Sequence, residues 1–197
     1  MNNLEVALLE VVGFLEARRT RYMVVGGFAA LHWGRQRLTR DLDLTVEVSD
    51  PALAGFIEAT AREFRLSERE PFEFAIRNHL IRLMTRGSVP VDLMLGVLPY
   101  QSAAIARAVE VPVGPRTVRF CTPEDLIIYK LASERPQDHI DVEGVVLRQA
   151  GALDRTYLEP HLYDLAAGLE RPEILTIYSG ALKKAGLPEL GPCKGTA

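Results

Sequence analysis

Apolar positions recur at Leu4, Ala7, Leu8, Val11, Val12 and Leu15, three or four residues apart, while Glu5, Glu10, Glu16 and Arg19 stay off that stripe. This period lays one apolar face along a helix, predicted over residues 3–19. The short run Met23-Val24-Val25 reads as a buried strand, broken by Gly26-Gly27 and followed by one or two helical turns over 28–33. From Asp41 the pattern becomes strict alternation, Asp41-Leu42-Asp43-Leu44, so the two carboxylates share one face of a strand and the leucines the other. Residues 89–95, VPVDLML, predict a further strand in which Asp92 stands alone between Val91 and Leu93.

Between and after these segments the signals are capping and turn residues. Asp50-Pro51 reads as a helix cap with proline at the first helical position, opening a helix to about residue 64. Residues 80–85 predict a strand that turns at Gly87-Ser88 into the Asp92 strand. A short helix over 100–108 and two strands over 110–113 and 117–120, around Gly114-Pro115, come next. Thr122-Pro123-Glu124-Asp125 matches a capping box and opens a helix that carries Lys130 among Leu126, Ile127, Ile128 and Leu131. A lysine in that setting either buries its stem with the ammonium at a pocket or snorkels to solvent. Pro136 starts another helix, on which Asp138 and Asp141 share a face. Asp138, in the first turn, also suits the helix dipole; Asp141 lies deeper, where that benefit fades. From about residue 156 the chain reads as helical, broken near Gly168 and Arg171-Pro172, and residues 188–197 read as a frayed tail. Strands and helices mix irregularly, which predicts an α/β (α+β) core with a mixed sheet flanked by helices, then a small helical region.

Composition adds bounds. A chain of 197 residues, 48% hydrophobic and 25% charged, suits one medium domain or a core with a helical appendage. No apolar run approaches the roughly 20 residues that span a bilayer, and the amino terminus lacks a signal-peptide pattern. Two cysteines, Cys121 and Cys193, make no disulfide framework, so the expectation is a cytoplasmic protein. The net charge of −3 announces no nucleic-acid partner, but the local distribution is uneven. Arg18, Arg19, Arg21, Arg35, Arg37 and Arg40 fall in a stretch without acids, as do Arg77, Arg82 and Arg86. Both stretches adjoin the carboxylate strands, and positive charge there suits a triphosphate or a polynucleotide. For most of these arginines a solvated surface is the better reading.

Two carboxylates side by side at the edge of a core repel each other and lose hydration, and a divalent cation relieves both. Glycines at a helix start permit a tight turn and leave N–H groups for phosphate. Taken singly, paired aspartates are usually solvent-facing and a glycine pair is usually a turn. Their combination is far more specific.

Gly26-Gly27, thirteen intervening residues, then Asp41-Leu42-Asp43, with the later Val91-Asp92-Leu93, resembles the signature of the polymerase-β-type nucleotidyltransferase superfamily. The fuller string GGFAALHWGRQRLTRDLDL is similar to the AbiE-type abortive-infection toxin branch, through Arg37, Thr39, Asp41 and Asp43. Lys130, Asp138 and Asp141 match that branch's later lysine and paired aspartates. The resemblance implies a nucleotidyltransferase core over 1–121 and a helical domain over 122–187. It implies that Asp41, Asp43 and Asp92 are catalytic and hold Mg²⁺, two ions in all, and that Gly26, Gly27, Arg37, Thr39, Lys130 and Asp141 serve the bound NTP. The implied reaction moves an NMP from the NTP to an acceptor hydroxyl of RNA or tRNA, in a toxin role with an antitoxin partner. The alternatives are an antibiotic-type small acceptor, or a binding module without catalysis. A dinucleotide-binding reading is poor, because GGFAAL lacks the G-x-G-x-x-G spacing.

Overall fold

The computed structural model describes residues 1–191; residues 192–197, with Cys193 and most of the expected tail, lie outside the described residues. The chain divides into two units, Met1–Phe28 with Leu38–Cys121, and Ala29–Arg37 with Thr122 onward.

In the first unit, α1 (Asn3–Ala17) begins at a reciprocal cap: the Asn2 side chain accepts from the Glu5 N–H, and the Glu5 carboxylate accepts from the Asn2 N–H, both at 2.9 Å. Its apolar stripe is buried at Leu8, Val11, Val12 and Leu15. Each such leucine or valine contributes about 1.5–3 kcal/mol of burial. The sheet comprises β1 (Arg21–Val25), β2 (Leu42–Glu47), β3 (Arg65–Leu66), β4 (Leu80–Met84), β5 (Pro90–Leu95), β6 (Val109–Val113) and β7 (Arg116–Phe120). Their order is β3-β4-β5-β2-β1-β7-β6. The sheet is mixed: β2 runs parallel to β5 and β1 to β7, and the remaining pairs are antiparallel. Leu42, Leu44, Val91 and Leu93 are buried, as the alternation requires. Three further helices of this unit are α3 (Asp50–Glu63), α4 (Pro71–Asn78) and α5 (Pro99–Arg107), while α2 (Gly26–Trp33) contains the boundary between the units.

The second unit holds α6 (Pro123–Ala132), α7 (Pro136–Gln149), a 3-10 turn at Ala150–Ala152, α8 (Arg155–Gly168) and α9 (Glu173–Lys184). Its core includes Leu126, Leu131, Val142, Val145, Val146, Leu158, Leu162 and Leu182. The segment before Arg37 is fixed within this unit by side chains of α7: Gln149 donates to the Trp33 carbonyl at 2.8 Å and Arg148 to the Gly34 carbonyl at 2.9 Å. A Cβ on Gly34 would stand 3.0 Å from the Val145 nitrogen, which leaves little room for any larger residue.

Several local expectations need correction. The helix after the glycine pair starts at Gly26 itself, so the pair forms its first turn. Ser49, not Asp50, holds the cap position of α3, without a side-chain hydrogen bond, and Asp50 occupies the first turn. At α6 the capping box is half formed: the Thr122 hydroxyl accepts from the Asp125 N–H at 3.1 Å and donates to the Asp125 carboxylate at 2.9 Å. That carboxylate also accepts from the Tyr157 hydroxyl at 2.7 Å, which ties α6 to α8. Neither β3 nor α4 follows from the hydrophobic pattern, since α4 buries only Ala75 fully and leaves Phe72 and Ile76 exposed. No helix among the described residues is long and apolar enough to cross a membrane.

Candidate active site

The carboxylates of the first unit gather at the β1–β2–β5 part of the sheet. Asp43 pairs in register with Val25 on one side and Asp92 on the other, and parallel in-register partners face the same way. Asp41 immediately precedes β2, and its carboxylate accepts from the Thr39 hydroxyl at 3.0 Å. The chain turns from β1 into α2 at Gly26, whose φ of +62° is one that residues with side chains rarely adopt. A Cβ built there would lie 1.9 Å from the Asp43 carboxylate. Glycine at 26 is therefore required twice, by its backbone and by the carboxylate seated against it. The Gly27 N–H donates to that same carboxylate at 3.4 Å.

Asp92 is half-buried, and burial pushes its carboxyl above the ordinary value; the charges of Asp43, Asp41 and Glu68 push the same way, against Arg82. Arg82 is its register partner on β4, with Nε 3.7 Å from the Asp92 carboxylate and Nη1 3.6 Å from that of Glu68. Among the described residues no three His, Cys, Asp or Glu side chains already stand as a metal-holding group. The donor chemistry nevertheless fits a hard divalent cation. The acids are oxygen donors, Asp41 and Asp43 both raise the cost of ionising Asp92, and the cradle at Gly26 keeps Cβ atoms away from Asp43.

The second unit holds a different constellation. Lys130 is 4% exposed, and its ammonium neither snorkels to solvent nor stands apart from acids. It donates to Asp138 at 2.5 Å and bridges Asp141 at 2.9 Å. Arg37 grips Asp141 with two parallel bonds, Nε at 2.9 Å and Nη2 at 3.0 Å. Gln137 adds a third donor to Asp141 at 3.2 Å, and Arg135 donates to Asp138 at 2.7 Å. Burial pushes both carboxyls up, but bonds from Lys130 to both, from Arg37 to Asp141 and from Arg135 to Asp138 outweigh it, and each lies below its ordinary value. Asp138 thus binds Lys130 directly, beyond any benefit from the helix dipole. Its three-residue spacing from Asp141 was the available signal.

Three arginines of the acid-free stretches meet acids in space. Arg86 pairs with Glu63 at 2.6 Å and Glu10 at 3.4 Å, Arg82 stands between Glu68 and Asp92, and Arg21 pairs with Glu47 at 2.6 Å.

Residues 14–184 match the family described as nucleotidyl transferase AbiEii toxin, type IV TA system. The chain belongs to the AbiEii family. It is accordingly a nucleotidyl transferase by family, and solved structures carry the same fold. The antibiotic-resistance factor ANT(2'')-Ia aligns at 14% identity over 85% of this AbiEii chain and 95% of its own, with a TM-score of 0.56. An antigenic nucleotidyltransferase-like protein from Paracoccidioides brasiliensis aligns at 17% identity over 92% and 91%, with a TM-score of 0.51. No curated protein matches the AbiEii chain.

Proposed function

We propose that this protein transfers a nucleoside monophosphate from an NTP to an acceptor hydroxyl, using a Mg²⁺ site built on Asp41, Asp43 and Asp92. The observation that carries this reading is the Asp43 carboxylate, in register with Asp92 and seated where Gly26 can carry no Cβ. Magnesium bound there, as two ions, would neutralise the triphosphate and acidify the attacking hydroxyl. Asp41 and Asp43 would bind and orient; the first N–H groups of α2, at Gly26 and Gly27, would hold phosphate, the Gly27 N–H giving up its 3.4 Å contact with Asp43 to do so. Asp92 would accept the hydroxyl proton. The acceptor oxygen bonds to the α-phosphorus, the bond from that phosphorus to the bridging oxygen breaks, and pyrophosphate leaves with the electron pair. Nucleotide-binding roles for Arg37, Thr39, Lys130 and Asp141 rest on the family motif. So does division into a core over 1–121 and a helical domain over 122–187.

An RNA acceptor, tRNA included, rests on the motif resemblance, and the family's description as the toxin of a type IV TA system implies an antitoxin. A second reading, a small cationic acceptor, has its own observation. Glu68, Glu70, Glu73, Phe74, Arg69 and Arg77 line a cleft of about 300 Å³, and Glu68 acts on the Asp92 carboxyl. Incubation with each labelled NTP, Mg²⁺ and total cellular RNA tests the proposal. Label in RNA is expected; label only in a small cationic acceptor supports the second reading, and no transfer to either leaves a binding module.

A further inference from the structure

At the opposite end of β1 from the glycine pair, roughly 16 Å along the strand at about 3.3 Å per residue, the first unit opens into a separate cleft. It has a volume of about 460 Å³, within the roughly 300–1,000 Å³ of ligand sites, and is lined by Glu16, Arg19, Thr20, Arg21, Tyr22, Ile105, Ala106 and Arg119. Its acid is already engaged: Glu16 accepts from the Tyr22 hydroxyl at 3.1 Å and pairs with Arg116. The three arginines keep spare donors. A guanidinium has five N–H groups; Arg21 gives one to Glu47, and Arg119 uses one nitrogen on the carbonyls of Ile105 and Ala108.

Arg19 is the most telling of the three. It sits just past the end of α1, where the Arg19 N–H bonds the Glu16 carbonyl at 2.9 Å and the Thr20 N–H bonds the Leu15 carbonyl at 3.0 Å. That double bond pattern requires a left-handed residue, and glycine is the usual occupant. Here an arginine takes φ +55°. The same cap recurs at the end of α8 with Glu170 at φ +56°, so what sets Arg19 apart is that its side chain lines the cleft.

We propose that this cleft binds the phosphate group of a phosphate ester through Arg19 and Arg119, with Arg21 held beside them by Glu47. The site is distinct from the carboxylate edge and does not depend on nucleotidyl transfer. Two sources share this chemistry, a polynucleotide backbone and a free mononucleotide. The test measures binding of a fluorescein-labelled 12-nucleotide single-stranded RNA across a salt series, and of AMP by calorimetry, both without added divalent metal. The proteins are wild type, Arg19→Gly, Arg19→Gln and Arg19→Lys. Arg19→Gly relieves the backbone, so its melting temperature is expected at or above wild type, which separates folding from binding. Arg19→Gln removes only the charge and keeps the backbone residue non-glycine.

With a polynucleotide in the cleft, both neutral variants make the log–log salt slope shallower by about 0.7, one single-strand phosphate contact, Arg19→Lys restores most of it, and AMP binding does not change. With a free phosphate ester, both neutral variants weaken AMP binding as well. Wild-type slopes and AMP affinities in both neutral variants would overturn the proposal.

Discussion

Asp43 on β2 and Asp92 on β5 are register partners across a parallel pair, so two acids from distant parts of the chain face the same side of the sheet. Neither is fully buried, and Asp43 adds to the cost of ionising Asp92. That arrangement is unfavourable without a cation and favourable with one. Asp43→Asn is therefore expected to lose at least about 100-fold in transfer, the upper end of what even outer partners of a metal contribute. The fold should survive, because an amide removes repulsion. Mn²⁺ titration calorimetry beside thermal melts checks both halves; retained Mn²⁺ affinity would remove Asp43 from the site.

Gly26→Ala is a steric test of the same cradle. The added methyl meets the Asp43 carboxylate at 1.9 Å and must also hold φ +62°. A loss on the order of 1–3 kcal/mol in stability is expected for such a strained position. Mn²⁺ affinity should fall with it. Urea unfolding and calorimetry on one preparation decide the matter; a variant as stable as wild type would mean that the turn relaxes freely.

Lys130→Met addresses the second unit. Removing the ammonium leaves Asp138 and Asp141, both 2% exposed, held by Ser133 and Arg135 on the one and by Arg37 and Gln137 on the other. Breaking a buried pair by deleting one partner costs about 3–5 kcal/mol. A chemical melt of the variant measures it, and unchanged stability would contradict the buried-pair account.

The acid limb of stability follows from the same pair. Both carboxyls sit below their ordinary value of 3.8 in the folded chain, so the unfolded chain takes up protons first as pH falls. Their contribution is complete above about pH 3.8 and is lost as pH falls through the lower folded values. In Lys130→Met, burial remains while a main opposing group is gone, so the folded values rise, the contribution shrinks, and its loss is complete at a higher pH than in wild type. Urea midpoints measured from about pH 2 to 6 should show the two limbs displaced; coincident limbs would detach Lys130 from these acids.

The place of Asp43 on an alternating strand was legible from a period of two, which needs no tertiary information, whereas Asp41, expected on the same strand, stands just before it. Their partnership with Asp92 was legible only as an isolated acid in an apolar strand; the register that brings it to Asp43 is a property of the sheet. Lys130 was ambiguous for the same reason. Its apolar neighbours signal burial, but the acids that satisfy it sit on the next helix. At Arg82 and Arg86 the stretch gave no sign of Glu10, Glu63 and Glu68, which approach them from elsewhere in the chain. The grouping of residues 29–37 with the second unit depends on Gln149, Arg148 and the tight contact at Gly34, none of which has a local pattern.

Neutralisation yields the last prediction, which bears on the acceptor. Arg86 is held by Glu63 at 2.6 Å and Glu10 at 3.4 Å, whereas Arg82 stands 3.6 and 3.7 Å from its acids, beyond hydrogen-bond reach. A polynucleotide passing the Asp92 edge can recruit Arg82 at little loss but must break a short ion pair to use Arg86. Arg82→Gln is expected to make the salt slope of single-stranded RNA binding shallower by about 0.7, and Arg86→Gln to leave it unchanged. Fluorescence anisotropy with a labelled RNA, titrated at several salt concentrations, reads both. Equal changes in the two variants would refute the neutralisation account. No change in either would turn RNA away from this edge and favour the small cationic acceptor, whose cleft presents Glu68, Glu70 and Glu73.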